Sequence, residues 1–528
     1  MAAKKCAVIT GILLCAFAAQ ASAAADKTLR FTMYESALGS GDNGTLDPVR
    51  TFNFLFFTLQ HQIFETLVAV DFNQQQVRPA LAERWEITKQ KNIKFFLRRG
   101  VHFHNGEDFT AATVKFSIDL LKDPRNKFSG RFLLDTIAAV QIIDDYTVEF
   151  VLSGPDALLL RKLAAIGFMF PQKYCERVGA DYFARYPLGT GPFRFFYFAT
   201  QAGGGKEIHL VGNEDYWGGP VGLQELVYSF VPKERQWQAL DTGAIDMLIT
   251  QIPPPAAVLK NAGLSIFTER PLRNSLCLLN IDKPGPLQDI RVRKALEHAV
   301  NRSDIITSAL HGYAKPLYTV APEGALAYSP GQPMYLEDKS IALSLLRQAG
   351  FSTGCTLTVM ASNIEPTMSV VNILKAQLAG CGIKLEPHFL SRDDIIKEIV
   401  SPKLMGQTKT ASYDMWVING WPDIFGATAH FYFLFLHSRG LFNIGTYMKA
   451  DSPVDALYAK ALEAQDDKEL AARLQQLDRA ILQDALAIPL YQAEIMYGMK
   501  KNVHFKPGLN DLPLNFKNCS MSYTGEHH

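Results

Sequence analysis

The sequence has almost no excess of charge of either sign, since 53 lysine and arginine residues stand against 52 aspartate and glutamate residues in 528 positions. A net charge of +1 creates no field that would attract nucleic acid or an anionic membrane, so we expect neither as a partner. The zinc motif H-E-x-x-H is absent and no cysteine has a catalytic context, which leaves a hydrolase as the least favoured function. We therefore expect a protein that is not an enzyme and that needs no cofactor or bound metal.

Long apolar runs are also missing, except at the N-terminus. No segment after residue 23 approaches the roughly 20 apolar residues that a membrane helix needs. Residues 1–23 have the form of a signal peptide, with two lysines before an apolar stretch at 7–19 and small residues at 21–23 for cleavage. A leucine precedes Cys15 where a lipoprotein signal requires a small residue, so a lipid anchor is not expected. We expect export to the periplasm as a soluble protein.

Cysteine is scarce in the expected mature chain. Five of the seven cysteines follow residue 23, and they are Cys175, Cys277, Cys355, Cys381 and Cys519. None has C-x-x-C spacing, which argues against a metal knot or a redox site, and the odd number leaves at least one thiol unpaired. Cys355 and Cys381 are the candidates for a disulfide, because each begins a strand of one predicted βαβ unit and consecutive parallel strands start at the same edge. The alternative is two buried thiols.

The stretch from Pro79 to Asp119 is the most informative part of the chain. By pattern alone it predicts a strand at residues 93–97, a turn at 105–106 and a helix entered through Thr110. Its residues follow the order P-x-L-A-x-x-W, L-R-x-G-V-x-F-H-x-G and T-A-x-x-V-x-F-S. This order resembles the signature segment of the family 5 extracellular solute-binding proteins, the peptide and nickel receptors of ABC importers. Thr113 departs from that signature, because the family commonly has an acidic residue there.

Further landmarks of this family follow in the family's order. They are PLGTGPF at residues 187–193, NEDYW at 213–217, ALDTGAIDML at 239–248, VRKALEHAVNR at 292–302 and ALSLLRQAG at 342–350. The two glycines of the first landmark could suggest a phosphate cradle, but no lysine follows them, so we expect a structural turn. The resemblance covers almost the whole chain after the signal peptide.

The resemblance implies an α/β fold of the periplasmic binding protein type II kind, with two lobes, a hinge and an additional small α/β domain. The small domain is expected at residues 70–188 and lobe II at 269–490. Lobe I would be assembled from three parts of the chain, residues 24–69, 189–268 and 491–528. Closure of the hinge would then enclose a ligand between the lobes without covalent chemistry.

Candidate ligand-binding residues follow two predicted strands of lobe II. In open α/β sheets, ligands bind beyond the carboxyl ends of the strands. The loops after the strands at 356–360 and 413–418 contain the candidates Ser362, Asn363, Glu365, Asn419, Gly420, Trp421, Asp423 and Ile424. The indole of Trp421 and the carboxylate of Asp423 would suit the α-ammonium group of a peptide. The alternative is a packed tryptophan and a helix-capping aspartate.

These loops depart from those of peptide-binding relatives in two respects. The relatives' G-W-x-x-D segment places an aspartate three residues after the tryptophan, where this chain has Ile424, and Asp423 lies one residue early. The first loop also lacks the arginine that dipeptide binders use for the ligand carboxylate, and it has Glu365 instead. We therefore expect a cationic amine to be favoured, and longer peptides or amines with a neutral far end to bind better than dipeptides.

The histidines offer only weak metal-site candidates. His102 and His104 alternate along one strand without a third ligand nearby in sequence, and His430 and His437 lie seven residues apart in an aromatic run. We expect core or surface histidines, although nickel-chelate receptors of this family do use a histidine in the second region.

The function that the resemblance implies is that of the substrate-binding receptor of an ABC importer. Such a receptor would enclose a short peptide or related amine-bearing solute and deliver it to an inner-membrane permease, and we expect it to be a monomer. The alternative is a receptor for a metal chelate of the nickel type or for another small nutrient. A periplasmic hydrolase is the distant third possibility.

Overall fold

The computed structural model describes residues 27–33, 45–50, 54–88, 92–200, 205–407, 411–448, 451–510 and 512–522, and the expected signal peptide lies outside these ranges. Two large β-sheets and one smaller sheet organise the described chain. The predicted α/β architecture of two lobes with an additional small domain is confirmed. No helix in the described ranges is both long and apolar enough to cross a membrane.

Lobe I is built on a seven-stranded sheet. In spatial order its strands are Leu264–Glu269, Ile495–Lys500, Met247–Thr250, Thr28–Met33, Glu225–Ser229, Lys206–Gly212 and Phe193–Thr200. The strand Thr28–Met33 is parallel to both of its neighbours, and the outer pairs are antiparallel. The helices Phe54–Ile63 and Gln236–Asp241 accompany this sheet, and the short pair Val503–His504 and Ser520–Met521 follows it.

Lobe II is built on a six-stranded sheet with helices around it. In spatial order the strands are Ala314–Pro316, Ala487–Ala493, Arg273–Leu279, Met415–Pro422, Cys355–Ser362 and Ile383–Leu390. The α-helices are Ile290–Ala299, Arg302–Leu310, Lys339–Gln348, Thr367–Ala379, Arg392–Ile395, Ser401–Leu404, Ala429–Phe431, Pro453–Leu462 and Asp467–Gln483. Every residue of the strand Arg273–Leu279 is buried, as expected for a strand covered on both faces.

The small domain has a four-stranded antiparallel sheet. Its strands are Ala82–Ile87, Ile93–Leu97, Thr147–Leu152 and Ile137–Asp144, and its helices are Ala111–Lys122, Leu159–Ile166, Gln172–Val178 and Ala180–Arg185. A hairpin of Val68–Asp71 and Gln76–Pro79 leads into it. The chain passes between the two large sheets at residues 270–272 and again at Glu494.

Local sequence signals explain several helix starts. Asp289 accepts a hydrogen bond from the Arg291 amide (2.8 Å) at the start of helix Ile290–Ala299, whose apolar stripe is buried. In the small domain, the Thr113 hydroxyl accepts from the Thr110 amide (3.0 Å). This hydroxyl occupies the position of the acidic residue in a capping box, so the departure from the family signature is chemically conservative.

The landmark motifs converge on one carboxylate that sequence reasoning did not single out. Glu65 accepts hydrogen bonds from the hydroxyl of Thr190 (2.8 Å), the hydroxyl of Tyr216 (2.7 Å) and the indole nitrogen of Trp217 (2.7 Å). Burial raises the pKa of Glu65, while these three donors and Lys517 oppose the rise. The PLGTGPF and NEDYW segments therefore have a structural role in joining separate parts of lobe I.

The glycines of the PLGTGPF segment allow a close backbone approach. A Cβ atom on Gly189 would overlap the carbonyl oxygen of Ile63, and one on Gly191 would overlap that of Gln62. The Gly191 amide donates to the Ile63 carbonyl (2.9 Å), which fixes the turn against the end of helix Phe54–Ile63. The prediction of a structural turn rather than a phosphate cradle agrees with this packing.

His104 joins the same turn and should make the protein sensitive to acid. Its Nδ1 accepts from the Gly189 amide (3.3 Å) and its Nε2 lies 2.9 Å from the Gly191 carbonyl. Burial lowers the pKa of His104 to about 4. Because the unfolded chain binds this proton near pH 6.5 and the folded chain only near 4, stability should fall as the pH drops through this window. The loss from His104 alone would be about 3 kcal/mol.

We expect His104→Gln to remove this contribution from the pH dependence of unfolding by urea. Between pH 6.5 and 4 the slope of unfolding free energy against pH should be smaller in the variant, by up to about 1.4 kcal/mol per pH unit. His102→Gln, at an exposed position two residues away, is the matched control. Equal slopes for His104→Gln and the wild-type protein would contradict the buried, neutral histidine.

The proposed disulfide between Cys355 and Cys381 is wrong. All five cysteines in the described ranges are free thiols. Cys355 pairs across the parallel strands with Ile383, so Cys381 lies two residues before its strand and not opposite Cys355. Desolvation raises the pKa of both thiols. Cys381 is buried and Cys355 is half-buried, so the alternative of two buried thiols holds fully only for Cys381.

Candidate ligand-binding cleft

The candidate cleft edge of lobe II lies where two parallel strands end. The strands Cys355–Ser362 and Met415–Pro422 are neighbours, and the second extends further because Ala361 pairs with Val417. The predicted loop at 419–422 is in fact strand, since Asn274 pairs with Trp421 and Arg273 with Pro422 on the antiparallel neighbour. Sequence reasoning missed this extension because the pairing partner lies almost 150 residues away.

Asn419 and Gly420 belong to a hydrogen-bond network beside the chain crossings between lobes. The Asn419 Oδ1 accepts from the hydroxyls of Ser275 (3.1 Å) and Tyr491 (2.9 Å). The Gly420 amide donates to Ser275 Oγ (2.9 Å), and the Gly420 carbonyl accepts from Arg273 Nη1 (3.0 Å). Burial lowers the pKa of the Arg273 guanidinium to about 10. The strand end that carries these candidates is therefore hydrogen-bonded to the two strands that adjoin the chain crossings between the lobes.

Gly420 is also a point of close approach between the lobes. Its φ of +63° lies in the left-handed region, where glycine carries no Cβ penalty. A Cβ atom there would lie 3.2 Å from Gln251 Nε2, which follows a strand of lobe I. The sequence-based candidates did not include Ser275, Tyr491, Arg273 and Gln251. No local sequence pattern indicates that the start of an antiparallel strand belongs to a site.

Trp421 is half-buried against an aromatic cluster of lobe II. Its ring meets Phe435 (centroids 4.8 Å apart) and Phe442 (5.5 Å) edge to face. The indole nitrogen donates to His430 Nε2 at 3.0 Å. Because the cluster fixes the indole on one side, its remaining exposed surface presents a rigid apolar wall.

Asp423 is built into its own loop. The side chain is only 3% exposed and accepts hydrogen bonds from the amide and hydroxyl of Thr428 and from the amide of Phe425. Ile424 is 2% exposed and packs into the core that lobe I shares with the small domain. Asp423 therefore holds its own loop together, whereas the N-cap of the helix Ala429–Phe431 is Thr428. A ligand ammonium group could reach the Asp423 carboxylate only if the loop rearranged.

The other candidate loop lies on the surface of lobe II. Asn363 and Glu365 are exposed and Ser362 is half-buried. Glu365 accepts from the Ser369 amide (3.2 Å) at the start of helix Thr367–Ala379, which leaves its second carboxylate oxygen for other partners. The structure thus separates the two acidic candidates, with Glu365 exposed and Asp423 enclosed.

The histidine candidates each have a local partner. His102 pairs with Asp108 (2.9 Å) on the surface, and His437 Nδ1 lies 3.3 Å from Asp455. In the part of the chain that the structure describes, no group of three or more histidine, cysteine, aspartate or glutamate side chains could hold a metal ion.

One string, GFSTG at residues 350–354, matches the nucleophile pattern G-x-S-x-G of α/β hydrolases. It lies in the turn between helix Lys339–Gln348 and the strand that begins at Cys355, whereas a hydrolase nucleophile lies between a strand and the following helix. Gly354 packs against the carbonyl of Gly382. The string is therefore a helix-to-strand turn.

Comparisons with known proteins agree with the fold. A family model of the bacterial extracellular solute-binding proteins, family 5 (middle), matches residues 76–443. The di/tripeptide-binding protein 2 of Pseudomonas aeruginosa is 26% identical over 533 aligned positions, which cover 93% of this chain and 94% of that protein.

Two solved structures share the architecture. The periplasmic binding protein DppA of Helicobacter pylori, in complex with the peptide STSA, has a TM-score of 0.76 at 24% identity, covering 94% of this chain and 98% of that one. NikA of Brucella suis, in complex with Fe(III)-EDTA, has a TM-score of 0.79 at 21% identity, covering 94% and 100%. Because the family model matches most of the chain, residues 76–443, this chain belongs to the bacterial extracellular solute-binding proteins of family 5.

Proposed function

We propose that this protein is the substrate-binding receptor of an ABC importer, and that it encloses a short peptide or related amine-bearing solute between its lobes. The ligand is bound without being altered and is handed to an inner-membrane permease. The signal-like residues 1–23 support a periplasmic location, and we infer a monomer.

The cleft edge of lobe II carries this proposal. The fixed indole of Trp421 offers an apolar wall, and the exposed Glu365 offers a carboxylate for an ammonium group on the same sheet edge. Both features lie at the carboxyl ends of parallel strands, where ligands of open α/β sheets bind. We infer that residues 270–272 and Glu494, the two crossings between the large sheets, form the hinge.

The chemistry of the edge gives the ligand preference. Asp423 is enclosed, so we assign the ammonium contact to Glu365 together with Ser362 and Asn363, and the side-chain contact to Trp421. We assign to Asn419, Gly420 and Ile424 the role of shaping the strand end next to these contacts. The similarity to the di/tripeptide-binding protein 2 supports a peptide as the ligand. Peptides share a free amine with the other amine-bearing solutes of this proposal.

We expect Glu365→Gln to weaken the binding of trialanine about 1.4- to fivefold, since an exposed ion pair contributes about 0.2–1 kcal/mol. Binding of N-acetyl-trialanine, which has no ammonium group, should be unchanged by the substitution. Isothermal titration calorimetry of the mature protein measures both. Glu337→Gln, at another exposed glutamate of lobe II, is the control. Equal losses for the free and acetylated peptides would contradict a contact between Glu365 and the ammonium group.

A further inference from the structure

The small domain contacts lobe II through hydrogen bonds and through packed side chains. The Ala157 amide donates to the Leu462 carbonyl (2.9 Å), and Leu158 is completely buried in a core cluster of lobe II. Phe132 stacks on Phe433, with ring centroids 5.5 Å apart and an angle of 12° between the planes. The small domain is thus packed on lobe II as well as on lobe I.

Arg161 lies at the centre of this contact and is only 1% exposed. From the small-domain helix Leu159–Ile166, its Nη1 donates to the Phe425 carbonyl (3.1 Å), and its Nη2 donates to Asp467 Oδ2 (3.2 Å). Both acceptors belong to lobe II. A buried guanidinium with bonds across a domain boundary favours the arrangement in which the boundary stays closed.

The hairpin that leads into the small domain completes the contact. Arg161 Nη2 also donates to the Gln75 carbonyl, and the Gln75 side chain donates to the Gly324 carbonyl of lobe II (2.8 Å). A Cβ atom on Gly426 would lie 2.7 Å from Gln75 Oε1, so the hairpin tip also packs on the loop that contains Asp423. Arg161 therefore connects the hairpin, the small domain and the loop at the cleft edge.

We propose that the small domain is a clamp on lobe II and that Arg161 is a positioning residue for the loop at 423–428. This inference rests on the proposed function, because the clamp acts on the cleft through the Phe425 carbonyl and the lobe II contacts. Opening of the lobes requires these contacts to break, so the clamp holds the closed state and slows ligand release. A ligand that binds only the closed state loses apparent affinity in proportion to the closed fraction.

Hydrogen exchange of the ligand-free protein tests the clamp without any ligand. In Arg161→Met the amides of Ala157 and Thr428 should exchange at least about tenfold faster, while the Ala111 amide, bonded within the small domain to Asp145, should keep its rate. Asp467→Asn, at a half-exposed partner, is the second variant and should show the same pattern more weakly. Arg125→Met, at an exposed arginine of the small domain, is the matched control.

Stopped-flow dissociation of trialanine gives the functional readout. Arg161→Met should raise the dissociation rate about tenfold or more, since the substitution removes the buried guanidinium that bonds the small domain to lobe II, and such losses act mainly on dissociation. Unchanged exchange at Ala157 and Thr428 in both variants would overturn the clamp, even if the melting temperature fell. If trialanine fails to bind the wild-type protein, the peptide proposal fails, and the exchange experiment still decides the clamp.

Discussion

Replacing Gly189 by alanine is expected to destabilise the protein by about 3 kcal/mol or more. The new Cβ would overlap the backbone carbonyl of Ile63, and backbone cannot rotate away as a side chain can. The turn is also held from the other side, because the Gly189 carbonyl accepts from the His104 amide (2.9 Å). Chemical denaturation monitored by circular dichroism measures the change.

Gly154→Ala is the matched control for this substitution. No atom lies within 4 Å of a Cβ added at Gly154, so the control should change stability by less than about 1 kcal/mol. Neither glycine has a positive φ in the structure, and the difference between the two variants therefore measures the close approach alone. A small loss of stability in both variants would contradict the close packing between the helix end and the turn.

Replacing Glu65 by alanine should lower the free energy of unfolding by a similar amount, because hydrogen bonds are lost. It would leave three donors, on Thr190, Tyr216 and Trp217, without their shared acceptor. Each buried donor without a partner costs about 1–3 kcal/mol, so we expect a loss of about 3 kcal/mol or more in urea unfolding. Glu65→Gln keeps one acceptor oxygen and should lie between the wild-type protein and the alanine variant.

The double variant Glu65→Ala, Tyr216→Phe separates this effect from general loss of packing. Removing the Tyr216 hydroxyl as well should recover part of the loss, since one unsatisfied donor disappears with it. Strictly additive losses would mean that the hydroxyl and the carboxylate act independently, which contradicts the shared hydrogen-bond network.

Elements with strong local signals could be predicted from the sequence. The strand expected at residues 93–97 is Ile93–Leu97, and the helix expected to be entered through Thr110 is Ala111–Lys122 with Thr110 as its N-cap. The order of the family motifs also predicted the architecture, because each motif marks a strand, a turn or a helix boundary that depends on local sequence. These features depend on neighbours along the chain and are visible there.

Features that depend on distant partners could not be predicted. Nothing near Glu65 in sequence indicates that Thr190 and Trp217 would donate to it. The strand through Trp421 is longer than predicted because it pairs with Asn274, and Asp423 is enclosed because Thr428 turns back onto it. The sequence therefore predicted which strands of lobe II carry the candidate residues, while the surroundings of the acidic candidates depend on tertiary packing.

Native mass spectrometry of the mature protein with a mixture of short peptides tests the central claim most directly. The receptor proposal predicts one small molecule bound per protein chain, with free-amine peptides preferred over their acetylated forms. Each peptide should be released with an unchanged mass. Binding of nickel or iron chelates in place of peptides, or the appearance of cleaved peptides, would contradict it.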